Sequence, residues 1–540
     1  MWWIMGGNTK EIILEMLLGG LSDGQRDAVL SENRFTKVIA GAGAGKTETL
    51  TRRLAKLILI DGVDPEEIVA FTFTEKAAQN MKERLYEKIE ELTGGKENSS
   101  VSKMYVGTIH GYAKRLLEDY YNYGIHTVLD ENQEFAFLMK HGWHMGLNEW
   151  EPNYSDAIQE FRKTFNMVLD ERLPDDEINT SSRFMQNMGS YQALLRNLKL
   201  MTFSTIISDV VKKIEDDSMP IKNIKHLFVD EFQDINQLQF DLIKIISKQA
   251  TLFVVGDPRQ CIYQWRGSNE RFFAGFEDEF QNKSPPIKIT MNRRSGISIV
   301  KNANVFANSL EKKFSEMIPH KKVSGEVSLV ELDDEEKEAE FIVDEIKSLR
   351  EKGYLYKDIA ILMRSVSTGA KQLIDKFNEN HMPYIVGGKV GLFRRFEAKA
   401  IGKILCWLST HPEFKEDWKT KIVGEELLET ALGDWKNILP NKDFDKIEKQ
   451  LRALRASIYG GDKPYNSFTK LYQKLLNKLG INELNAKSQE QSLILANLGR
   501  LNELLTDFEM ANHLGGEYFD SVRALKDLSY FINGYASSAY

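Results

Sequence analysis

The sequence predicts an α/β fold: parallel sheets flanked by helices, interrupted by helical insertions. Three observations predict it. A short β-rich run, Phe35 to Ile39, leads through a small-residue loop into a breaker-free helical stretch, Glu48 to Leu59. Two further apolar runs, His226 to Val229 and Leu252 to Val255, each end abruptly in polar residues, as strands buried on both faces do. Between the first run and these two, from about Leu117 to Leu200, the alternation of β and α text stops, and residues rich in Tyr, Phe, Trp, Met and charge recur at helical spacing.

Bulk properties bound the rest. The 540 residues suggest about three or four domains at the usual size of about 100–200 residues each. Apolar content of 42% is ample for packed cores, and a net charge of −8 makes the chain no polybasic nucleic-acid binder overall. A local basic groove stays open, because binding depends on where charge sits. Two cysteines, Cys261 and Cys406, are too few for a disulfide scaffold or a Cys-based zinc site, and their scarcity points to a reducing compartment. His141 and His144 lie close together, but no cysteine joins them as a ligand. No apolar run approaches the ~18 residues of a membrane span, so the expected location is cytoplasmic.

The elements follow in order. Leu21 to Leu30 reads as a capped helix, and Gln25 on it carries an amide that can donate and accept at once, as adenine recognition requires. Ile68 to Thr74 is a strand followed by a helix from Glu75 to Arg84. Thr93 to Met104 reads as a loop, and Val106 to Tyr112 as a strand end meeting a helix, where open α/β sheets place ligands. Ser284-Pro285-Pro286 is a plausible domain joint. Beyond it a second α/β pattern is expected: strands at Ile287–Ile289, Val327–Val330, Ile359–Leu362 and Tyr384–Val386, with helices at Glu335–Glu351 and Ala370–Asn378. The acidic start of the first of these helices suits a positive dipole end. From about Ser409 onward the text is helical and amphipathic.

The chemistry concentrates at strand ends. Ala40-Gly41-Ala42-Gly43-Ala44-Gly45-Lys46-Thr47 has the composition and the strand–loop–helix context of a phosphate-binding loop. Its glycines let backbone N–H groups turn inward, and the helix N-terminus adds its positive end. Lys46 would reach the β- and γ-phosphates of ATP, and the Thr47 hydroxyl would hold Mg²⁺. A ligand-free Gly-rich turn is the alternative on this stretch alone. Asp230 would share the Mg²⁺, and Glu231 would orient and deprotonate the attacking water; a strand-capping acidic turn would show the same letters. Gln260, just past the other buried strand, can sense a γ-phosphate. Beside it Tyr263, Trp265 and Arg266 form an aromatic and basic cluster suited to unpaired bases, on which stacking is worth roughly 1–3 kcal/mol per base. The aromatics would otherwise be core residues.

Taken together and in order, these stretches resemble the superfamily 1A DNA helicases of the UvrD/PcrA/Rep kind. Gln25 sits in the place of the Q-motif, and Ala40 to Thr47 resembles AGAGSGKT. Thr72 to Ala78 resembles TFTNKAA, Gly107 to His110 resembles GTFH, and Asp230 to Asp234 matches DEFQD. Gly256 to Gly267 resembles GDxxQSIYRWRG, Asn292 to Ser295 resembles NYRS, and Gly387 to Glu397 resembles the GGxxFFERxE stretch. The resemblance implies RecA-like P-loop NTPase motor domains with ATP in a cleft between them, and helical insertions flanking DNA. It implies 1–117 and 201–286 as the first motor domain, 118–200 as its insertion, 287–408 as the first half of a second motor domain, and 409–540 as part of a second insertion. Arg293 would lie against the base, and Arg294 would reach the γ-phosphate. Phe73, Thr108, His110, Tyr263, Trp265 and Arg266 would contact single-stranded DNA. The implied activity is ATP-driven 3′–5′ translocation and unwinding at junctions of single- and double-stranded DNA, in repair, recombination or phage defence.

The sequence departs from the family pattern in several places. Ala40 replaces the opening Gly, Glu48 stands where many members have Arg, Arg293 replaces a Tyr that stacks on adenine, and Gln264 replaces an Arg. A guanidinium can also stack on a π-face. The GDP-x-Q form at Gly256 to Gln260 leans toward the RecB/AddA branch, without a nuclease signature. The family's motif V (T-x-H-x-x-KGLE) and motif VI (VALTRA, with a second arginine finger) find no match. The second motor domain is therefore expected to be incomplete, as in a fragment, a motor split over a partner chain or a degenerate protein, with weak ATPase activity alone. An ATP-gated binding module that does not unwind is the alternative function.

Overall fold

The computed structural model describes the chain except residues 1–6, 95–100, 122, 152, 175–181, 222, 263–269, 311–314, 365–368, 386–391, 394, 417–419, 440, 461–466, 482–488, 514–520 and 538–540. Two compact units result. One comprises residues 1–128, 164–179 and 201–329; the other comprises 129–163, 180–200 and 330–540.

The first unit is built on a six-stranded parallel sheet. Its strands are β1 (Phe35–Ala40), β2 (Ile68–Thr72), β3 (Tyr105–Thr108), β4 (His226–Val229), β5 (Thr251–Gly256) and β6 (Ile287–Ile289), in the spatial order β3-β2-β4-β5-β1-β6. Helices α1 (Asp23–Leu30), α2 (Lys46–Leu59), α3 (Glu75–Thr93), α4 (Ile109–Tyr121), α5 (Phe203–Glu215) and α6 (Gln237–Ser247) belong to the same unit. The period of two in a strand sorts its side chains between two cores. Val69, Phe71, Leu227, Val229, Leu252 and Val254 join residues of α4, α5 and α6 on one face. Ile68, Ala70, Phe228, Phe253 and Val255 join α2 and α3 on the other. Both faces are covered, which is why these strands read as continuous apolar runs.

Two features of this sheet differ from the sequence expectation. Ile287–Ile289 opens no second sheet; it pairs in parallel with β1 as the sixth strand. Helix α1 packs on it so closely that a Cβ on Gly24 would collide with the Lys288 carbonyl. The stretch from Leu117 to Leu200 is mostly helical, as expected, but Thr127–Val128 and Leu200–Met201 also form a two-stranded ribbon.

The second unit is mainly helical, with helices that include Glu131–His141, Ser182–Asn197, Phe396–Trp407, Glu426–Ile438, Phe468–Leu479 and the 25-residue Gln489–His513. A hairpin of Glu413–Lys415 with Lys421–Val423 interrupts the helical text after Ser409. Helices Glu335–Glu351 and Lys371–Glu379 form as expected, and pack through Ala339, Val343, Ile346, Leu373 and Phe377. The strands expected beside them do not form. Val327–Val330 and Ile359–Leu362 belong to no strand, and neither do Tyr384 and Ile385; Val386 lies outside the described residues. Leu329 and Leu362 are 101% and 95% exposed. A run of strand composition becomes a strand only when a neighbouring strand takes its N–H and C=O groups; among the described residues no strand pairs with these runs, and Ile359 N donates instead to Tyr356 O at 3.2 Å.

Replacing Leu362 by Lys is expected to leave thermal unfolding within about 0.5 kcal/mol of wild type, as for an exposed site, while lowering concentration-dependent light scattering. Phe377→Ala, in the core of the same βα text, is expected to cost about 3–5 kcal/mol. Equal thermal effects would contradict the exposed placement of Leu362.

Candidate functional site

The phosphate-loop residues Ala40, Gly41, Ala42, Gly43, Ala44, Gly45, Lys46 and Thr47 connect β1 to α2. Gly43 and Gly45 adopt φ of 68° and 84°, left-handed values that a side chain would strain. Gly45 caps α2, so the free N–H groups of its first turn lie at the loop. Gln25 is buried on α1 and holds this loop: its Nε2 donates to the Ala44 carbonyl at 3.2 Å and its Oε1 accepts from Ser22 N at 3.1 Å. Both ends of the amide are thus engaged within the protein, and reading a base would require one to let go.

Sheet register brings the other strand ends to the loop. Val38 pairs with Val255 and Ile39 with Gly256, so whatever follows β5 lies beside whatever follows β1. Lys46 Nζ donates to Glu231 Oε2 at 2.5 Å. Glu231 itself sits at φ 50°, a left-handed conformation uncommon outside glycine. Gln233 Nε2 donates to the same Glu231 oxygen at 3.0 Å and to Asp234 Oδ2 at 3.1 Å, while its Oε1 accepts from Asp257 N at 3.0 Å. Gly256 leaves room for this amide; a Cβ there would stand 2.6 Å from Gln233 Oε1. Gln260 Nε2 then donates to Asp257 Oδ2 at 2.7 Å. A chain of contacts therefore runs from Lys46 through Glu231, Gln233 and Asp257 to Gln260.

Burial pushes the Asp230 carboxyl up to about 7; the adjacent Glu231 charge adds to the rise, and Lys46 opposes it. Burial likewise raises Asp234 to about 6, again with Glu231 adding and Lys46 opposing. A buried carboxylate at the loop, with the Thr47 hydroxyl at the start of α2, is the hard-oxygen donor chemistry that suits Mg²⁺.

Past β6 the chain returns to the loop. Asn292 Nδ2 donates to Ala42 O at 2.7 Å, and Arg293 N to Gly43 O at 2.9 Å. Arg294 N and Ser295 N both donate to Asn292 Oδ1, and the Arg294 stem packs over Gly43. The Arg293 guanidinium donates to Gly20 O at 2.8 Å through Nη2. Glu48 pairs with Arg52, whose Nη1 also donates to the carbonyls of Leu17 and Gly19. The segment before α1 is thus fastened beside the loop by two arginines.

Comparison with known proteins gives the family. Residues 21–281 match the UvrD/REP helicase N-terminal domain, and 287–417 match the UvrD-like helicase C-terminal domain. The chain belongs to the UvrD/REP helicase family. Its relatives include a probable DNA helicase II homolog of Mycoplasma capricolum, 30% identical over 400 residues, covering 69% of this chain and 53% of that protein. The ATP-dependent DNA helicase PcrA of Staphylococcus aureus is 28% identical over 409 residues, covering 73% and 54%. DNA helicase II of Haemophilus influenzae is 28% identical over 397 residues, covering 71% and 53%. The chain spans about half the length of these relatives.

A second group of side chains in this UvrD-like chain lies at the outer strand ends, β2 and β3. Thr72 pairs with Thr108, which places Phe73 and His110 just beyond neighbouring strands. Phe73 is 39% exposed. Thr108 Oγ1 donates to Glu75 Oε1 at 2.8 Å and accepts from Gly111 N. The His110 ring meets the exposed Phe203 edge-on, with centroids 5.4 Å apart. Tyr263, Trp265 and Arg266 lie outside the described residues. Sequence reasoning assigned no role to Gln233, Asn292 or Phe203. The first two stand inside recognised motifs, so their position was a usable signal; the exposure of Phe203 at the start of α5 was not. Among the described residues no group of acidic, His or Cys side chains resembles a metal cage, and no helix is long and apolar enough to cross a membrane.

Burial lowers His110 from 6.5 to about 4. A depressed imidazole means that the unfolded chain takes up the proton first as pH falls. Its contribution to stability is then full above about 6.5 and lost progressively toward pH 4. In urea unfolding, His110→Gln is expected to remove roughly 1–3 kcal/mol of the acid-side loss. A parallel pH profile for both proteins would contradict the neutral, half-buried ring.

Proposed function

We propose that the chain is the ATP-binding part of a motor that hydrolyses ATP to move on single-stranded DNA in the 3′–5′ direction and to open duplex at junctions. The observation that carries this reading is the gathering of Lys46, Glu231, Gln233 and Gln260 round one phosphate loop whose own sheet also presents Phe73 and His110.

In the resting arrangement Lys46 and Glu231 neutralise one another. A triphosphate entering the loop draws Lys46 to its oxygens, and the freed Glu231 carboxylate can then take the proton of the attacking water. Gln233 keeps that carboxylate aimed while its other end reports to Asp257 and Gln260. Thr47 and Asp230 would hold Mg²⁺, which when bound neutralises charge on the phosphates. Arg294 would extend from the Asn292 turn toward the same phosphates, and Arg293 would lie against the base. Strand ends of one sheet thus carry the phosphate contacts and the aromatic contacts. A change at the loop is felt at Phe73, Thr108 and His110, and at the Tyr263, Trp265 and Arg266 cluster that follows Gln260 in sequence.

Because the base is held by Lys46 until nucleotide arrives, turnover without DNA is expected to be slow and to rise with added single-stranded DNA. Lys46→Ala is expected to abolish nucleotide binding. Glu231→Gln should keep binding and lower the stimulated rate by about 10²–10⁴-fold. A Glu231→Gln protein with wild-type turnover would sink the assignment. The unpaired runs at Leu329 and Leu362 favour a second reading, in which this chain gates DNA binding with ATP and needs a further polypeptide for processive unwinding. Duplex unwinding by the chain alone would exclude it.

A further inference from the structure

An arginine that the helicase reading leaves without a role sits against the phosphate loop. Arg259 follows β5, and the register of β5 on β1 carries it to the start of the loop. Its guanidinium lies over Gly41, so that a Cβ there would collide with Arg259 Nη2. Asp257, almost fully buried, orients it: Nε donates to Oδ1 at 2.8 Å and Nη2 to Oδ2 at 3.2 Å. The same carboxylate takes the backbone N of Arg259 and the amide of Gln260. Nη1 also reaches the Ser315 carbonyl at 3.4 Å. Met317 packs beside Gly41 on the same side.

This placement gives the loop a cation at each end. Lys46 stands at its helix end, where the first-turn N–H groups also lie. Arg259 stands at its strand end, in the same short turn as Gln260. A polyphosphate lying along the loop puts the phosphate held by the helix near Lys46 and the next one toward Gly41. The geometry points to Arg259 as a residue that contacts the terminal phosphate of a bound nucleoside triphosphate, supplied in cis by the first sheet. Asp257 holds the fork in its resting position and gives up part of it when that phosphate arrives. Arginine suits the task, since its planar fork can bind a carboxylate with one edge and a phosphate oxygen with another. During transfer the charge on the terminal phosphate's equatorial oxygens is stabilised by such a group. No bond to Arg259 forms or breaks.

The inference rests on the loop binding ATP, and the test separates the two. Affinities for a fluorescent ADP and for a non-hydrolysable fluorescent ATP analogue are measured for wild type, Lys46→Ala, Arg259→Ala and Arg259→Lys, each checked for an unchanged melting transition. Arg259→Ala is expected to lower the preference for the triphosphate over the diphosphate by about 10-fold or more while ADP affinity stays within about 2-fold, and to cut DNA-stimulated turnover by about 10²–10³-fold. Arg259→Lys should restore part of the preference. A merely structural arginine would weaken both nucleotides together or neither, and an unchanged preference in Arg259→Ala would overturn the proposal. If that variant does not fold, the Lys variant decides: a wild-type preference and rate with Lys would equally overturn a role for the fork. No nucleotide binding by wild type would remove the helicase reading and this inference together.

Discussion

One amide holds the site together. Gln233 spans the ends of β4 and β5, donating to Glu231 and Asp234 and accepting from the backbone of Asp257. It is almost fully buried, so each of its bonds is made in surroundings where a lost partner costs about 1–3 kcal/mol. Glu231 can hold a left-handed backbone and face Lys46 because this amide steadies its carboxylate. Asp257 can face Arg259 and Gln260 because its own N–H is fixed by the same side chain. Charge at the loop and position at the end of β5 are therefore not independent variables. They are two ends of one hydrogen-bonded unit, and Gly256 is what leaves space for it.

The sheet explains how such a unit can be assembled from residues two hundred positions apart. Parallel strands with both faces covered put all their C-terminal ends on one edge. The loop, the acidic pair and the exposed Phe73 are each the first residues past a strand, and Gln233, Gln260 and His110 follow within four residues of one. That is also why so much was legible in the sequence. Apolar runs of four to six residues ending in Gly, Asp or Thr mark both the strand and its exit, and small residues before Lys46 mark the tightest turn. What was not legible depended on pairing. Ile287–Ile289 has the same letters whether it starts a new sheet or closes an old one, and only its bonds to β1 decide. Val327–Val330 and Ile359–Leu362 have strand composition, yet composition supplies no neighbour. Arg259 reads as one more charged residue until the register places it over Gly41.

The helical second unit follows a different logic. Helices satisfy their own backbone, so Phe396–Trp407 and Glu426–Ile438 can pack through buried side chains such as Trp407, Leu428 and Trp435. Helices Glu335–Glu351 and Lys371–Glu379 also form without help, and bury Val343 and Phe377. The extended runs before and between them cannot do this. Ile359 still packs against the helices, but Leu329 and Leu362 stay in water.

Gly24 carries a mechanical consequence. Because α1 rests directly on the backbone of β6, the helix bearing Gln25 and the strand delivering Asn292 to the loop move as one piece. The Asn292 turn fixes Arg294 and Ser295 by their N–H groups, and the parallel pairing of Ile318–Pro319 with Met291–Asn292 ties the later chain to the same block. A load applied at the Asn292 turn therefore meets a stiff mount rather than a hinge.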